Sequence, residues 1–259
     1  MLKKRLVGVV TVKDGLAVQS FGYKKYLPLG LPEFLIENLD RWGADEILLQ
    51  CIDRSVRNLG PDLALLKRIN RLGLSTPLIY AGGIRNAEDG CAAIQTAADR
   101  ICVDALLHDD FNEVRRLSEM LGAQAIISVL PLTFEGNALR WLDYRCGEHK
   151  LLSDDLLEAF VSGVLSEALL VDWRNEGFRC SFDNNILTAF PFKNVPLIVF
   201  GGLSEVGQLR AVFDSPRVAA AAVGNFLSYK EHAIQRYKQE LACVHLRPAS
   251  FDHNYKCST

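Results

Sequence analysis

Residues 77–83 read Pro-Leu-Ile-Tyr-Ala-Gly-Gly, and residues 196–202 read Pro-Leu-Ile-Val-Phe-Gly-Gly. Each segment is a short apolar run that ends in a double glycine, which is typical of a buried strand followed by a tight turn. Glu46 and Glu167 recur ahead of the two segments at nearly the same offset. This self-similarity predicts a unit that occurs twice, rather than a solenoid with its period of ~20–50 residues.

The rest of each half alternates apolar strands with amphipathic helices, four times per half. Eight such alternations with right-handed crossovers predict the α/β class and a single (β/α)8 TIM barrel built from two duplicated half-barrels. We expect the barrel over 1–241, with half-barrels at about 1–122 and 123–241, and a loose C-terminal tail over 242–259. Residues 123–124 carry no Pro-, Gly- or Ser-rich spacer, which argues against two separate domains.

The segments predicted in this way can be given by number. The strands are 6–12, 44–53, 77–84, 100–105, 125–130, 166–172, 196–203 and 217–223. The helices are 32–42, 62–69, 87–97, 111–121, 153–163, 183–190, 206–213 and 229–241, and 16–32 is predicted as a long loop.

Composition excludes several functional classes. A formal charge of −2 over 259 residues gives no electrostatic footprint for nucleic acid or an anionic membrane. No apolar run reaches the ~18–20 residues that span a bilayer, and the first run is too short for a signal peptide. We therefore expect a cytoplasmic protein without nucleic-acid or membrane partners.

The seven cysteines form no C-x-x-C pair, and the five histidines are scattered. An odd number of unpaired cysteines is typical of reduced, mostly buried thiols in a cytosolic protein. The spacing predicts no zinc site, and we expect no metal and no cofactor.

Two double glycines lie where strands end, which is the functional face of a barrel. Glycine lets a backbone approach an oxyanion, so these turns are candidate phosphate sites for a ligand with a phosphate at each end. The alternative is a tight turn without a ligand, and Asp104 beside the first turn disfavours a phosphate there. The candidate phosphate-binding residues are Gly82, Gly83, Gly201, Gly202, Gly224 and Asn225.

General acid–base chemistry needs groups that face one another across the mouth. The opposed first and fifth barrel strands offer only Thr11 and Pro131, which make no such pair. Asp53, Asp104 and Asp172 also end strands, and each is a candidate catalyst. For any one of them, a salt bridge in a loop is the favoured interpretation.

Several motifs together resemble the cyclase subunit family of imidazole glycerol phosphate synthase. They are Met1-Leu2-Lys3-Lys4-Arg5, Val12-Lys13-Asp14-Gly15, Gly43-Ala44-Asp45-Glu46, both Gly-Gly turns and the 222–226 ending. The resemblance covers 1–241 and extends to a paralogous branch associated with sugar amidation in surface-polysaccharide biosynthesis. It implies a lyase of histidine biosynthesis that receives ammonia from a glutaminase subunit.

The resemblance also assigns roles to residues. The two aspartates of the family's cyclase fall on Thr11 and Pro131, neither of which can shuttle a proton, so the cyclase reaction is not expected unless Asp53, Asp104 or Asp172 substitutes. The family's four-residue charged ring, an ammonia gate at the base, matches Arg5, Glu46, Arg100 and Glu167. Asp99 matches a residue that faces the glutaminase. A purely structural salt-bridge ring is the alternative.

The sequence thus predicts the barrel subunit of a glutamine-dependent amidotransferase. Ammonia would pass from a glutaminase at the N-terminal face to an acceptor, either a phosphorylated small molecule at the mouth or a substrate of a third, amidating enzyme. Two alternatives remain open at this point. One is an active cyclase-lyase of histidine biosynthesis, and the other is a non-catalytic scaffold for the glutaminase.

Overall fold

The computed structural model describes residues 3–152, 154–229 and 231–248, and its strands form one sheet. In chain order the strands are β1 Arg5–Lys13, β2 Leu16–Phe21, β3 Lys25–Gly30, β4 Glu46–Cys51, β5 Leu78–Ala81, β6 Arg100–Val103, β7 Ile126–Glu135, β8 Ala138–Asp143, β9 Glu148–Lys150, β10 Glu167–Asp172, β11 Leu197–Phe200 and β12 Val218–Val223. Eight of them pair in parallel in the order β12-β1-β4-β5-β6-β7-β10-β11, and β11 pairs with β12 to close the ring. The predicted (β/α)8 barrel is therefore confirmed.

Helices pack around this barrel. They are α1 Pro32–Arg41, α2 Leu63–Asn70, α3 Ala87–Thr96, α4 Leu106–Asp109, α5 Phe111–Leu121, α6 Asp154–Val161, α7 Asn185–Ala189, α8 Val206–Phe213 and α9 Ala233–Glu240. Each predicted strand and helix overlaps one of these elements. The helix predicted over 229–241 is the shorter α9, because His232 adopts the left-handed conformation (φ 56°) just before it.

The side chains of the barrel strands form two apolar layers, one outside the barrel and one inside it. Their outward side chains pack against the helices, and their inward side chains form a second cluster inside the barrel. Because both faces are buried, the strands are nearly continuous apolar runs rather than alternating ones. The interior cluster consists of Val7, Val9, Leu48, Ile79, Ala81, Cys102, Ile127, Leu169, Val171, Trp173, Ile198, Phe200, Ala220 and Ala222.

Two hairpins project over the carboxyl ends of the barrel strands, and the sequence interpretation missed both. The loop predicted over 16–32 is wrong, because β2 pairs with β1 and with β3 there. Gly22 and Pro28 had indicated a loop. Gly22 instead lies in the turn between β2 and β3, and Pro28 lies in β3 at the edge of the sheet.

The second hairpin arises because β7 does not stop at Leu130, as predicted, but runs through Pro131 to Glu135 and then pairs with β8. Proline is tolerated in β7 because the β6 side of this strand has no partner beyond Ser128. A third strand, β9, then pairs with β8.

The end of the described chain lies at the base of the barrel. The backbone N–H of Lys4 donates to the carbonyl of His245 (2.8 Å), and Lys4 forms a parallel bridge with Leu246. Of the predicted tail, 249–259 lies outside the described residues. Within the described ranges, no helix is long and apolar enough to cross a membrane.

Candidate functional site

The base of the barrel carries a closed ring of four charged side chains, at the first residues of β1, β4, β6 and β10. Arg5 Nη1 donates to Glu46 Oε1 (3.0 Å), and Arg5 Nη2 donates to Glu167. On the other side, Arg100 Nη1 donates to Glu167 Oε2 (2.6 Å) and to Glu46 Oε1 (3.5 Å). The structure thus brings together all four residues predicted for the gate, with each carboxylate held between two guanidinium groups.

Burial decides the electrostatics of this ring. The four side chains are only 7–15% exposed. Burial raises the pKa of Glu46, although Arg5 and Arg100 oppose this shift. For Arg5 burial alone would lower the pKa, but the nearby carboxylates Glu167 and Glu46 outweigh it and raise the pKa. Removing one member would therefore leave an uncompensated charge in a poorly solvated place.

Asp99 lies beside this ring, immediately before β6, and is exposed. Its carboxylate accepts the backbone N–H of Leu78 (2.7 Å) and so also joins β5 to β6 at the base. The structure places it on the same face as the ring, and its role towards a partner stays a prediction.

The opposite end of the barrel contains a cavity of about 410 Å³ beneath the two hairpins. Its walls are largely apolar and aromatic, with Tyr23 supplied by the turn between β2 and β3 and Tyr144 by the turn between β8 and β9. Among the described residues, Asp104 is the one carboxylate that lines the cavity. Its lining also includes Lys24, Tyr26, Gln50, Ser55, Cys102, Val129, Pro131, His149, Leu169 and Trp173.

Asp104 accepts a hydrogen bond from the hydroxyl of Tyr144, so it ties the second hairpin to the end of β6. Burial raises the pKa of Asp104, and the hydrogen bond from Tyr144 opposes that shift. Burial also raises the pKa of Tyr144. Asp104 and Tyr144 thus form an acid–base pair in the wall of the cavity, which His149 also lines. The sequence interpretation missed Tyr144 because nothing in the linear pattern connects it with Asp104.

The other two candidate carboxylates lie elsewhere. Asp53 accepts the backbone N–H of Asp14 (3.0 Å) and pairs with Arg57 (3.2 Å) near the surface. Asp172 is 1% exposed, and it accepts hydrogen bonds from Asn175 Nδ2 (2.8 Å) and from the backbone N–H of Asp183 (2.8 Å). Both therefore hold loops in place, and neither lines the cavity.

Thr11 and Pro131, the two positions matched to the family's aspartates, do not form an acid–base pair. Pro131 lines the cavity, whereas Thr11 is 6% exposed on β1 and does not line it. Thr11 is paired in register with Gln50 on β4 and with Val18 on β2.

Both double-glycine turns need glycine because their backbone passes too close to neighbouring backbone atoms to leave room for a side chain. Gly82 (φ 128°) and Gly201 (φ 105°) are equivalent, since a Cβ on either would lie 2.3–2.4 Å from the carbonyl oxygen that ends the preceding barrel strand, at Cys51 or Asp172. Gly83 and Gly202 also have positive φ values, of 71° and 76°. The turns are thus fully explained without a ligand, and phosphate binding there stays a prediction.

Two of the predicted phosphate donors already have partners inside the fold. The N–H of Gly83 donates to Ser55 Oγ (3.1 Å). The Asn225 side chain accepts the N–H of Ser20 (3.2 Å) and donates to its carbonyl (2.6 Å). Asn225 beside Gly224 therefore anchors the first hairpin.

Glu176 holds the same hairpin from another side. Its carboxylate accepts the hydroxyl of Ser20 (2.8 Å), and its backbone carbonyl accepts the N–H of Gly22 (2.8 Å). Tyr23 in turn accepts a hydrogen bond from Gln50 Nε2 (2.9 Å). The hairpin tip is therefore fixed over the mouth. In the described part of the chain, no cluster of three or more His, Cys, Asp or Glu side chains could hold a metal ion.

Comparison with known proteins gives one family and many relatives. The family model described as "Histidine biosynthesis protein" matches residues 5–233. The chain is 28% identical to the "Putative imidazole glycerol phosphate synthase subunit hisF2" of Vibrio vulnificus over 246 residues, covering 93% of this chain and 89% of the relative. It is 24% and 26% identical to proteins named "Imidazole glycerol phosphate synthase subunit HisF" from Natranaerobius thermophilus and Thermococcus gammatolerans, covering 93% of this chain and 97% and 96% of those relatives.

Proposed function

Because the chain belongs to the histidine biosynthesis protein family, we propose that it is the barrel subunit of a glutamine-dependent amidotransferase. A glutaminase docks on the face that carries Asp99 and the charged ring. Ammonia enters through the ring and leaves into the mouth cavity. The relatives are named as subunits of a synthase, which supports a role inside a complex.

The observation that carries this proposal is the short distance between the ring and the cavity. Cys102 and Leu169 line the cavity, and Arg100 and Glu167 of the ring lie two residues earlier on the same two strands. At a rise of about 3.3 Å per residue along strands tilted by ~36°, the two levels are only ~5 Å apart along the barrel axis. A single layer of side chains therefore separates the base from the mouth.

The chemistry of that layer suits neutral ammonia. Its members around the axis are apolar and include the small side chain of Ala220 and the valine Val7. An uncharged molecule crosses such a lining at far lower cost than an ammonium ion would. The ring itself is closed by mutual pairing, so docking of a partner has to rearrange the ring for ammonia to enter.

The residues at the mouth favour a nitrogen acceptor different from the substrate of the family's cyclase. Thr11 and Pro131 occupy the two aspartate positions, and Asp104 is the one carboxylate in the cavity. This favours the amidating branch of the family, in which the nitrogen goes to another acceptor or to a third enzyme.

Transfer of the amide nitrogen in the purified complex tests the proposal. The complex is captured with its native glutaminase and supplied with glutamine labelled with ¹⁵N at the amide. We expect Arg5→Ala and Glu167→Ala to release labelled ammonia into solution while glutamate production continues. Arg100→Lys keeps the charge and should retain transfer. Unchanged transfer in both alanine variants would contradict the proposal, and a complex that never transfers nitrogen would identify a scaffold.

A second candidate, an active cyclase-lyase, is supported by the names of the relatives and by Asp104 in the cavity. Asp104 would then take the proton-transfer role that Thr11 and Pro131 cannot fill. Incubation with the family's aminoimidazole-carboxamide ribonucleotide precursor and ammonium salts tests this candidate. Product formation that is lost in Asp104→Asn would establish it, and the absence of product would exclude it.

A further inference from the structure

The inner end of the mouth cavity has an unusual balance of charge. Asp104 is the carboxylate of the lining, and no described residue forms an ion pair with it. Lys24 is the lysine of the lining, but it is exposed on the hairpin tip, with its ammonium 5.9 Å from the centre of the Trp173 ring. Burial raises the pKa of Asp104 and the charge of Arg145 opposes that shift, but Arg145 is held by Asp109 and Asp143 and does not line the cavity. A phosphate at the inner end would thus meet a carboxylate and no nearby cation of the lining, which is unfavourable.

Aromatic side chains form much of the cavity wall. Tyr23, Tyr26, Tyr144 and Trp173 all line the cavity, and His149 packs edge-on against Trp173 at 5.5 Å between ring centres. Aromatic faces attract flat rings and cations, and the volume of about 410 Å³ falls in the range of small-molecule sites.

We infer that the mouth cavity binds a flat ring that carries an N–H donor group, uncharged or cationic and without phosphate at its inner end. The donor group meets Asp104, beside Tyr144, and the ring lies among the aromatic walls. The inference rests on the proposed function only in that this cavity is also where ammonia emerges. It makes the ligand at the mouth chemically different from a molecule with a phosphate at each end.

A matched set of probes tests the inference on the full chain without any partner. Benzamidine is a flat cation with N–H donors, benzoate is its near-isosteric anion, and phenyl phosphate carries the disfavoured group. Calorimetric titration should give benzamidine a Kd about tenfold or more below those of the other two. The indole N–H resonance of Trp173, assigned with Trp173→Phe, should shift on adding benzamidine.

Two variants separate recognition from folding. Asp104→Asn should weaken benzamidine binding about tenfold or more, because it removes the charge but not the shape. Tyr144→Phe leaves the carboxyl group in place and should retain the preference for benzamidine over benzoate. Equal or tighter binding of benzoate or phenyl phosphate to the wild type, or no binding of benzamidine at millimolar concentration, would overturn the inference.

The test is independent of nitrogen transfer. Arg5→Ala and Glu167→Ala should still bind benzamidine with the wild-type Kd, since the ring lies below the cavity. Loss of nitrogen transfer together with intact binding would thus contradict only the proposed function. Intact transfer without selective binding would contradict only the present inference.

Discussion

Lys238 Nζ lies 2.7 Å from Asp45 Oδ1, and both side chains are only 4% exposed. Lys238 belongs to α9, and its ammonium also donates to the carbonyl of Gly43 (2.8 Å). The second carboxylate oxygen of Asp45 accepts the backbone N–H of Leu6 on β1 (2.7 Å). This buried ion pair therefore joins the last described helix to the first strand and to the entrance of β4.

The buried pair should behave as a unit in stability measurements. Lys238→Met leaves the Asp45 carboxylate buried without its cation and should lower the free energy of unfolding by about 3–5 kcal/mol. Asp45→Asn combined with Lys238→Met should cost clearly less than the sum of the single variants, because no charge is then left uncompensated. Urea denaturation measures all three.

Lys67→Met serves as the control for this cycle. Lys67 is an exposed lysine on α2, and its replacement should change stability by no more than about 0.5 kcal/mol. Additive costs in the double variant would show that Lys238 and Asp45 do not act as a pair.

Gly177 should be irreplaceable for the docking of the first hairpin. Its φ is 80°, and an added Cβ would lie 2.0 Å from the carbonyl oxygen of Ser20. Gly177→Ala therefore combines left-handed backbone strain with a steric clash against backbone, and should destabilise the protein by about 3 kcal/mol or more. Hydrogen exchange should rise most in β2 and β3.

Gly122 isolates the steric part of that effect. Its φ of 81° is nearly the same, but nothing lies within 4 Å of an added Cβ. With ψ at 143°, Gly122 has a backbone conformation that other residues rarely adopt, so Gly122→Ala should cost about 1–3 kcal/mol from strain alone and leave exchange in the hairpin unchanged. Equal costs for the two variants would mean that the hairpin moves aside freely.

His108 should make the protein less stable in mild acid. It stacks on Trp141 at 3.7 Å between ring centres, and burial lowers its pKa from 6.5 to about 4. Arg145 and Lys150 lower this pKa further, whereas Asp109 and Asp143 oppose the shift. Because the folded state binds the proton less readily than the unfolded state does, stability is lost as pH falls from about 6.5 towards 4.

His108→Phe keeps the ring stack and removes the titration. Thermal unfolding between pH 7 and pH 4 should therefore show a smaller loss of stability for the variant than for the wild type. Parallel pH profiles would contradict the assignment of this loss to His108.

Much of the barrel was predictable because strands buried on both faces are apolar along their whole length. Runs such as that of β4 are apolar throughout, and the two Gly-Gly segments mark equivalent turns in the two halves. The hairpins were missed for a different reason. In β8 the buried positions Leu139, Trp141 and Asp143 alternate with partly buried ones, so a strand signal was present, but a connection longer than expected hid it.

The site was predictable only where a family pattern reached it. The charged ring could be assigned residue by residue and is found closed. The cavity could not, because part of its wall comes from the β2–β3 and β8–β9 turns, and the position of the first turn depends on distant anchors such as Asn225 and Glu176. Asp104 was one of three equivalent candidates in the sequence, and only the fold separates it from Asp53 and Asp172.

The hairpins contribute Tyr23 and Tyr144 to the cavity, whereas the ring belongs entirely to the barrel strands. Part of the cavity wall is thus encoded outside the strands that form the ring. Grafting both hairpins with their anchors, together with Asp104 and Trp173, onto a related barrel should transplant the choice of ligand and leave the charged ring untouched. Exchange of these few segments above an unchanged barrel base is thus a short route to a different ligand.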